Sequence, residues 1–194
     1  MGSVITSSAR LDWATIIEIA GDLLDESGLE TFRLGAVADR AGVTQPALYR
    51  HVDGAAGVWR GLGLVTRRTL AARLRAAVGE RSGTDAVHAV SHAWRAFAHQ
   101  HPGRYRSTDR YPVRGDAQLE AAVDEVRSAL HASLQGFDMP DARSEHAAVM
   151  LRSALHGFVS FELGDGTPGD IDRAFDHLVD QLCSGFDREE RAAP

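Results

Sequence analysis

The chain contains no lysine: all 21 basic side chains among its 194 residues are arginine. That is a compositional bias, and no function is read from it. It has one cysteine, Cys183, which excludes an intrachain disulfide and makes a reducing cytoplasm the expected compartment. No apolar run approaches the roughly 20 residues needed to cross a bilayer. No basic stretch followed by an apolar segment opens the chain, so no secretory signal and no membrane partner are expected. His-Glu-x-x-His, paired cysteines, Gly-x-Ser-x-Gly and phosphate-binding glycine loops are all missing, so no catalytic residue, cofactor or metal ligand is assigned. His88 and His92 stand four apart on one helix face but lack a third ligand at metal-binding spacing.

What is present is a globular composition, 44% apolar and 25% charged. The net charge of −6 opposes nucleic-acid binding only in total, because the charge is unevenly placed. Residues 1–57 hold four arginines against eight acids, residues 58–81 six against one, and residues 82–194 eleven against eighteen. Within 31–51 the balance is +2, from Arg33, Arg40 and Arg50 against Asp39, and a local field is what docking on phosphate uses.

Helical periodicity runs through nearly the whole chain. Trp13, Ile16, Ile17, Ala20, Leu23 and Leu24 make a stripe that Ser27-Gly28 closes, and Leu34, Val37, Ala38 and Ala41 make a shorter one closed by Gly42. Residues 53–57 read as a turn, and a long helix is expected from Val58 to about Glu80. Val87, Val90, Trp94 and Phe97 predict another helix that stops at His101-Pro102-Gly103, with 103–116 irregular. Further helices are predicted over 117–135, 142–163 and 171–186, with a Gly/Asp/Pro break at 164–170. No strand alternation is found. The expected fold is all-α with about nine helices.

Residues 28–51 speak most clearly about function. They read as a helix, a glycine turn and a second short helix, the arrangement that presents side chains to a DNA major groove. Thr44 is placed to cap the second helix, and Pro46 fits its first turn, where amides have no intrahelical acceptor. Leu48 and Val52 point that helix inward. Gln45 can pair with an adenine edge, Ala47 can meet a thymine methyl, and Arg50 can reach a guanine or a phosphate.

The segment Ala38-Asp39-Arg40-Ala41-Gly42-Val43-Thr44-Gln45-Pro46-Ala47-Leu48-Tyr49-Arg50-His51-Val52, after an amphipathic first helix, resembles the tetracycline-repressor (TetR) family of transcriptional regulators. The resemblance implies a DNA-binding unit over residues 1–57 and a ligand-binding and dimerisation region over 58–194. It implies DNA contacts from Arg33, Thr44, Gln45, Pro46, Ala47, Tyr49, Arg50 and His51, with Tyr49 and His51 on phosphate. Three positions depart from the family pattern: Arg33 where a small hydroxyl usually caps, Gly35 where Arg is common, and Ala55 where Lys is common. Arg33 is expected to reach phosphate with its longer arm, whereas Ala55 has no such substitute nearby, with Arg60 the one candidate.

A second resemblance covers Ala93–Tyr105 and Leu155–Glu162, which are similar to the C-terminal domain of the family's Trp-His-Gly subgroup, with Leu155 in place of the tryptophan. It implies a homodimer through the last two helices, and an effector cavity walled by Trp94, Phe97, His101, Tyr105, Met150 and His156. The expectation is a ligand-responsive repressor, a homodimer on a palindromic operator in double-stranded DNA, controlled by an unknown small-molecule effector. The alternative is a helical small-molecule-binding protein or enzyme whose N-terminal region no longer reads DNA.

Overall fold

A computed structural model describes residues 11–165 and 170–188. Among these residues there are nine α-helices, one short 3-10 turn and no strand, which is the expected all-α class. Helix α1 (Trp13–Ser27) starts where Asp12 accepts the amide of Thr15 at 2.8 Å, and ends at Gly28, whose φ of 79° suits only glycine. It buries Ile16, Ile17, Ala20 and Leu24. Helices α2 (Leu34–Arg40) and α3 (Gln45–Leu48) pack on it, closing a small core with Phe32, Val37, Ala38, Leu48 and Val52.

Helix α4 (Gly54–Val78) begins four residues earlier than its apolar stripe indicates. Residues 53–57 are its first turn rather than a separate loop: Asp53 sits at the N-cap position, its carbonyl accepts the Gly57 amide at 3.0 Å, and Ala55 and Ala56 favour helix. Val58 and Leu62 join the N-terminal core, whereas Leu70, Ala71, Leu74 and Val78 join the larger C-terminal one. One unbroken helix therefore serves both cores.

The larger core is built by α5 (Gly83–Gln100), α7 (Ala117–Ser133), α8 (Asp141–Asp165) and α9 (Ile171–Arg188), centred on Trp94, Phe97, Leu130, Leu151, Leu155 and Phe175. Between α5 and α7 the chain is more regular than expected. Pro102 opens α6 (Pro102–Ser107), since its fixed φ and missing N–H suit a first helical turn, and a 3-10 turn follows at Thr108–Arg110. Of the break expected at 164–170, Gly164 and Asp165 continue α8, and 166–169 lie outside the described residues.

Helix α8 is apolar on more than one side. Leu151, Leu155 and Val159 enter the core, while Met150 and Phe161 remain 54% and 59% exposed on the opposite face. Gly157 lies between those two on the same face, with open space where a Cβ would stand.

Candidate functional site

The turn between α2 and α3 runs through Gly42, whose φ is 69°, and is closed by the Val43 amide on the Ala38 carbonyl at 3.0 Å. Leu48 is fully buried and Val52 nearly so, which orients the rest of the segment outward. Thr44, Gln45, Pro46, Tyr49, Arg50 and His51 are all exposed, and Ala47 is half-buried. The 3-10-like closure after α3, with the Arg50 amide on Ala47 and the His51 amide on Leu48, gathers Tyr49, Arg50 and His51 at its end. The side-chain amide nitrogen of Gln45 lies only 3.2 Å from where a Cβ on Gly35 would stand, so the missing arginine leaves room for Gln45 to fold over α2.

Two expectations for this face, the Thr44 cap and the Arg60 substitute, are corrected, and Arg33 is found turned back. Thr44 stands at the N-cap position but makes no side-chain capping bond; its carbonyl instead accepts the amides of Ala47 and Leu48. With those amides satisfied and no N–H on Pro46, the start of α3 offers little backbone for a phosphate. Arg33 is exposed but turned back, its Nη1 donating to the carbonyls of Glu30 and Phe32 at 2.9 Å each. Arg60 does not substitute for the charge missing at Ala55. Its Nη2 donates to Asp116 at 3.0 Å and to Gln118 at 2.8 Å, tying α4 to α7. That guanidinium holds the Asp116 carboxyl below its ordinary range.

In the C-terminal half, a cavity of about 70 Å³ opens between α4, α5, α6, the 3-10 turn, α7 and α8. Three of the six expected wall residues meet there, joined by hydrogen bonds. The Trp94 indole N–H donates to the Tyr105 hydroxyl oxygen at 2.9 Å, and that hydroxyl lies 2.8 Å from His156 Nδ1. Because indole only donates, the phenolic hydrogen is left free to serve the imidazole nitrogen. Burial pushes the Tyr105 phenol up to about 12.

The other three expected wall residues are elsewhere. Phe97 is buried and lines a separate crevice with His101 between α1, α4 and α6. Arg73 lies over the Phe97 ring, 5.1 Å from its centre. Met150 is on the outer face of α8, because the six-residue step from Met150 to His156 leaves the two side chains about a third of a turn apart. Sequence reasoning missed Arg67, Asp109 and Arg152, which also line the cavity. The signals that could have found them are the basic stretch 58–81 and the i, i+4 spacing of Arg152 and His156.

Helix α6 joins this cavity to the N-terminal unit. Gly103 lies against the end of α1, where a Cβ would stand 2.1 Å from the Leu24 carbonyl oxygen. Arg104 then donates from its main-chain N to Asp25 at 2.9 Å, from Nε to Asp25 at 3.0 Å and from Nη1 to Glu18 at 2.9 Å, and it also pairs with Asp22. His101 lies between Asp25 and Arg73, at 3.2 and 3.3 Å. Tyr105, the next residue after Arg104, faces the cavity.

Along α5, His88 and His92 are each taken by an aspartate of α9, Asp180 at 3.0 Å and Asp176 at 3.3 Å. Three or more metal-ligating side chains do not converge anywhere among the described residues. Likewise, no described helix is long and apolar enough to cross a membrane.

Comparison with known proteins agrees with this geometry. A family profile described as the tetracyclin repressor-like C-terminal domain matches residues 87–182. The chain is 32% identical over 187 residues to an uncharacterized HTH-type transcriptional regulator of Mycobacterium tuberculosis, covering 95% of this chain and 85% of that one. A second such regulator, from Bacillus subtilis, is 28% identical over 145 residues, 74% of each chain. Among solved structures, a TetR variant from Acinetobacter baumannii in complex with minocycline superposes with a TM-score of 0.69 at 23% identity, covering 92% of this chain and 98% of that one. The TetR family protein ActR of Streptomyces coelicolor, in complex with (S)-DNPA, gives 0.69 at 15% identity over 92% and 98% of the two chains. With a helix-turn-helix at one end, a matched regulatory domain at the other and a relative similar along almost its whole length, this chain belongs to the TetR family and is a DNA-binding transcriptional regulator.

Proposed function

We propose that the protein is a ligand-responsive repressor that acts in the cytoplasm as a homodimer on a palindromic operator. The observation that carries this reading is the placement of two adjacent residues of α6. Tyr105 lines the cavity, and Arg104 grips three carboxylates of α1, the helix on which the reading unit is built. A molecule that enters the cavity and shifts Tyr105 also shifts Arg104, and through it the N-terminal unit. Ligand and operator then share one coupling free energy, about 1–3 kcal/mol in most such systems, which weakens DNA binding roughly 5- to 150-fold.

The reading unit is assigned to residues 1–57 and the regulatory unit to 58–194, with α4 spanning the boundary; residues 1–10 and 189–194 lie outside the described ones. Sequence preference falls to Gln45, Ala47 and Arg50, while Thr44, Pro46, Tyr49 and His51 set the fit to the backbone. Arg33 joins them once its guanidinium leaves its own loop. The partner surface is the α8 face of Met150, Gly157 and Phe161 with the exposed side of α9, since apolar side chains so placed mark a subunit contact. The Trp-His-Gly subgroup remains a finer assignment in keeping with this architecture. The naming of the relatives as regulators supports a role without catalysis.

The test is retention of purified protein on fragments from its own promoter region at low salt, followed by footprinting. A protected palindrome is expected. Failure to retain any fragment of a genomic pool refutes the reading and returns the choice to a small-molecule carrier or enzyme.

A further inference from the structure

The arginines that fasten this fold together are each matched to a carboxylate. Arg60 meets Asp116, Arg95 meets Glu162, and Arg104 meets Asp25. The two arginines that line the cavity are not. Arg67 is half-buried and donates only to main-chain carbonyls, from Nη1 to Gly63 at 3.1 Å and from Nη2 to Thr108 at 2.8 Å. Arg152 makes no hydrogen bond or ion pair among the described residues, although it stands one turn before His156 on the cavity wall. Asp109 is the single acid in the lining. The same lining includes buried Leu70, Val126 and the indole of Trp94.

A guanidinium half out of water, satisfied by carbonyl dipoles and with Asp109 alone in the lining to offset two arginine charges, sits in a setting that an anion relieves. Burial accordingly pulls Arg67 below its ordinary range. We infer that the cavity binds a small organic carboxylate: its carboxylate is held between Arg67 and Arg152, and its apolar body lies against Trp94, Leu70 and Val126. Size favours a compact acid. The cavity of about 70 Å³ equals the share of roughly two waters, which is room for a carboxylate head, and the body extends toward the open side or moves α6. The planar, forked geometry of Arg suits a carboxylate, and the Tyr105–His156 hydrogen bond beside it supplies a polar rim.

This inference rests on the cavity being the effector site. It is tested with phenylacetate, benzoate and butyrate as probes, against phenylacetamide and benzylamine as the neutral and cationic counterparts. Binding to the full-length protein is read by calorimetry and thermal shift. At least one carboxylate is expected to bind at least tenfold more tightly than its amide, with no binding of benzylamine. Arg152→Met removes a side chain that holds nothing else, so the fold is retained, and the carboxylate Kd should rise at least tenfold. Arg67→Met should do the same, with its melting temperature recorded because Arg67 also braces Thr108. Equal or tighter binding of the amide, binding of none of the three carboxylates, or an unchanged Kd in Arg152→Met overturns the anionic assignment. Promoter retention measured in parallel keeps the outcomes apart: a neutral probe that binds and releases DNA refutes the ligand class while leaving the ligand-responsive regulator intact.

Discussion

Gly103→Ala is the substitution on which the α6 linkage can be judged. A Cβ there would lie 2.1 Å from the carbonyl oxygen of Leu24, 2.2 Å from its carbonyl carbon and 2.7 Å from the amide nitrogen of Asp25. All three are backbone atoms of α1, so no rotamer change relieves the clash. Ordinary carbon–oxygen contacts lie at about 3.3–3.6 Å, so α6 must back away from α1 by about an ångström. That stretches the 2.9 Å bond from the Arg104 main-chain N to Asp25 beyond hydrogen-bonding range. Overpacking of this kind costs about 1–3 kcal/mol. At about 2–4 °C per kcal/mol for a chain of this size, the melting temperature should fall by roughly 2–12 °C in a circular-dichroism scan. The same displacement moves Arg104 relative to Glu18 and Asp22, so promoter affinity should change even without effector. A melting temperature within about 1 °C of the parent, with unchanged promoter affinity, would show that α6 and α1 are not locked as described.

The remaining predictions follow from single contacts. Arg50→Ala should relax sequence preference in a binding-site selection, whereas Tyr49→Ala should weaken all sequences alike and leave the salt slope of binding unchanged, because the phenol carries no charge. Phe161→Asp places a charge on the apolar outer face of α8 and should yield monomers by sedimentation with an unchanged helical spectrum. Because burial raises the Tyr105 phenol from 10.0 to about 12, the folded state keeps a proton that the unfolded chain releases. Its stability contribution is therefore complete below pH 10 and is lost as pH rises through 12, a decline of about 2–3 kcal/mol that denaturant titrations across that range should register and Tyr105→Phe should abolish. Burial pushes the Cys183 thiol up to about 11, so at pH 8 only about one molecule in a thousand carries the thiolate, and a thiol reagent should label it quickly only after unfolding.

Much of this molecule can be read along the chain because its determinants are local. Stripes at three- and four-residue spacing gave the helices, Gly28 and Gly42 gave two of the stops, and Ala38 through Val52 gave the reading motif, since its turn and inward apolar residues are set by near neighbours in sequence. The first turn of α4 and the short α6 escaped notice because Asp53-Gly54 and Pro102-Gly103 look like breaks, and only the carbonyls they meet turn them into helix starts. What a side chain meets across 50 or 80 residues is not written in spacing. The sequence by itself determined the all-α class, the helix-turn-helix and its outward residues, through period and local chemistry. Only the tertiary structure decided that Arg60 is spent on Asp116, that Met150 looks away from the cavity, that Arg67 and Arg152 face it without a carboxylate of their own, and that Arg104 and Tyr105 divide between two units. The physical reason is that a charge or a hydroxyl acquires its role from the groups folding brings within a few ångströms, and those come from distant helices.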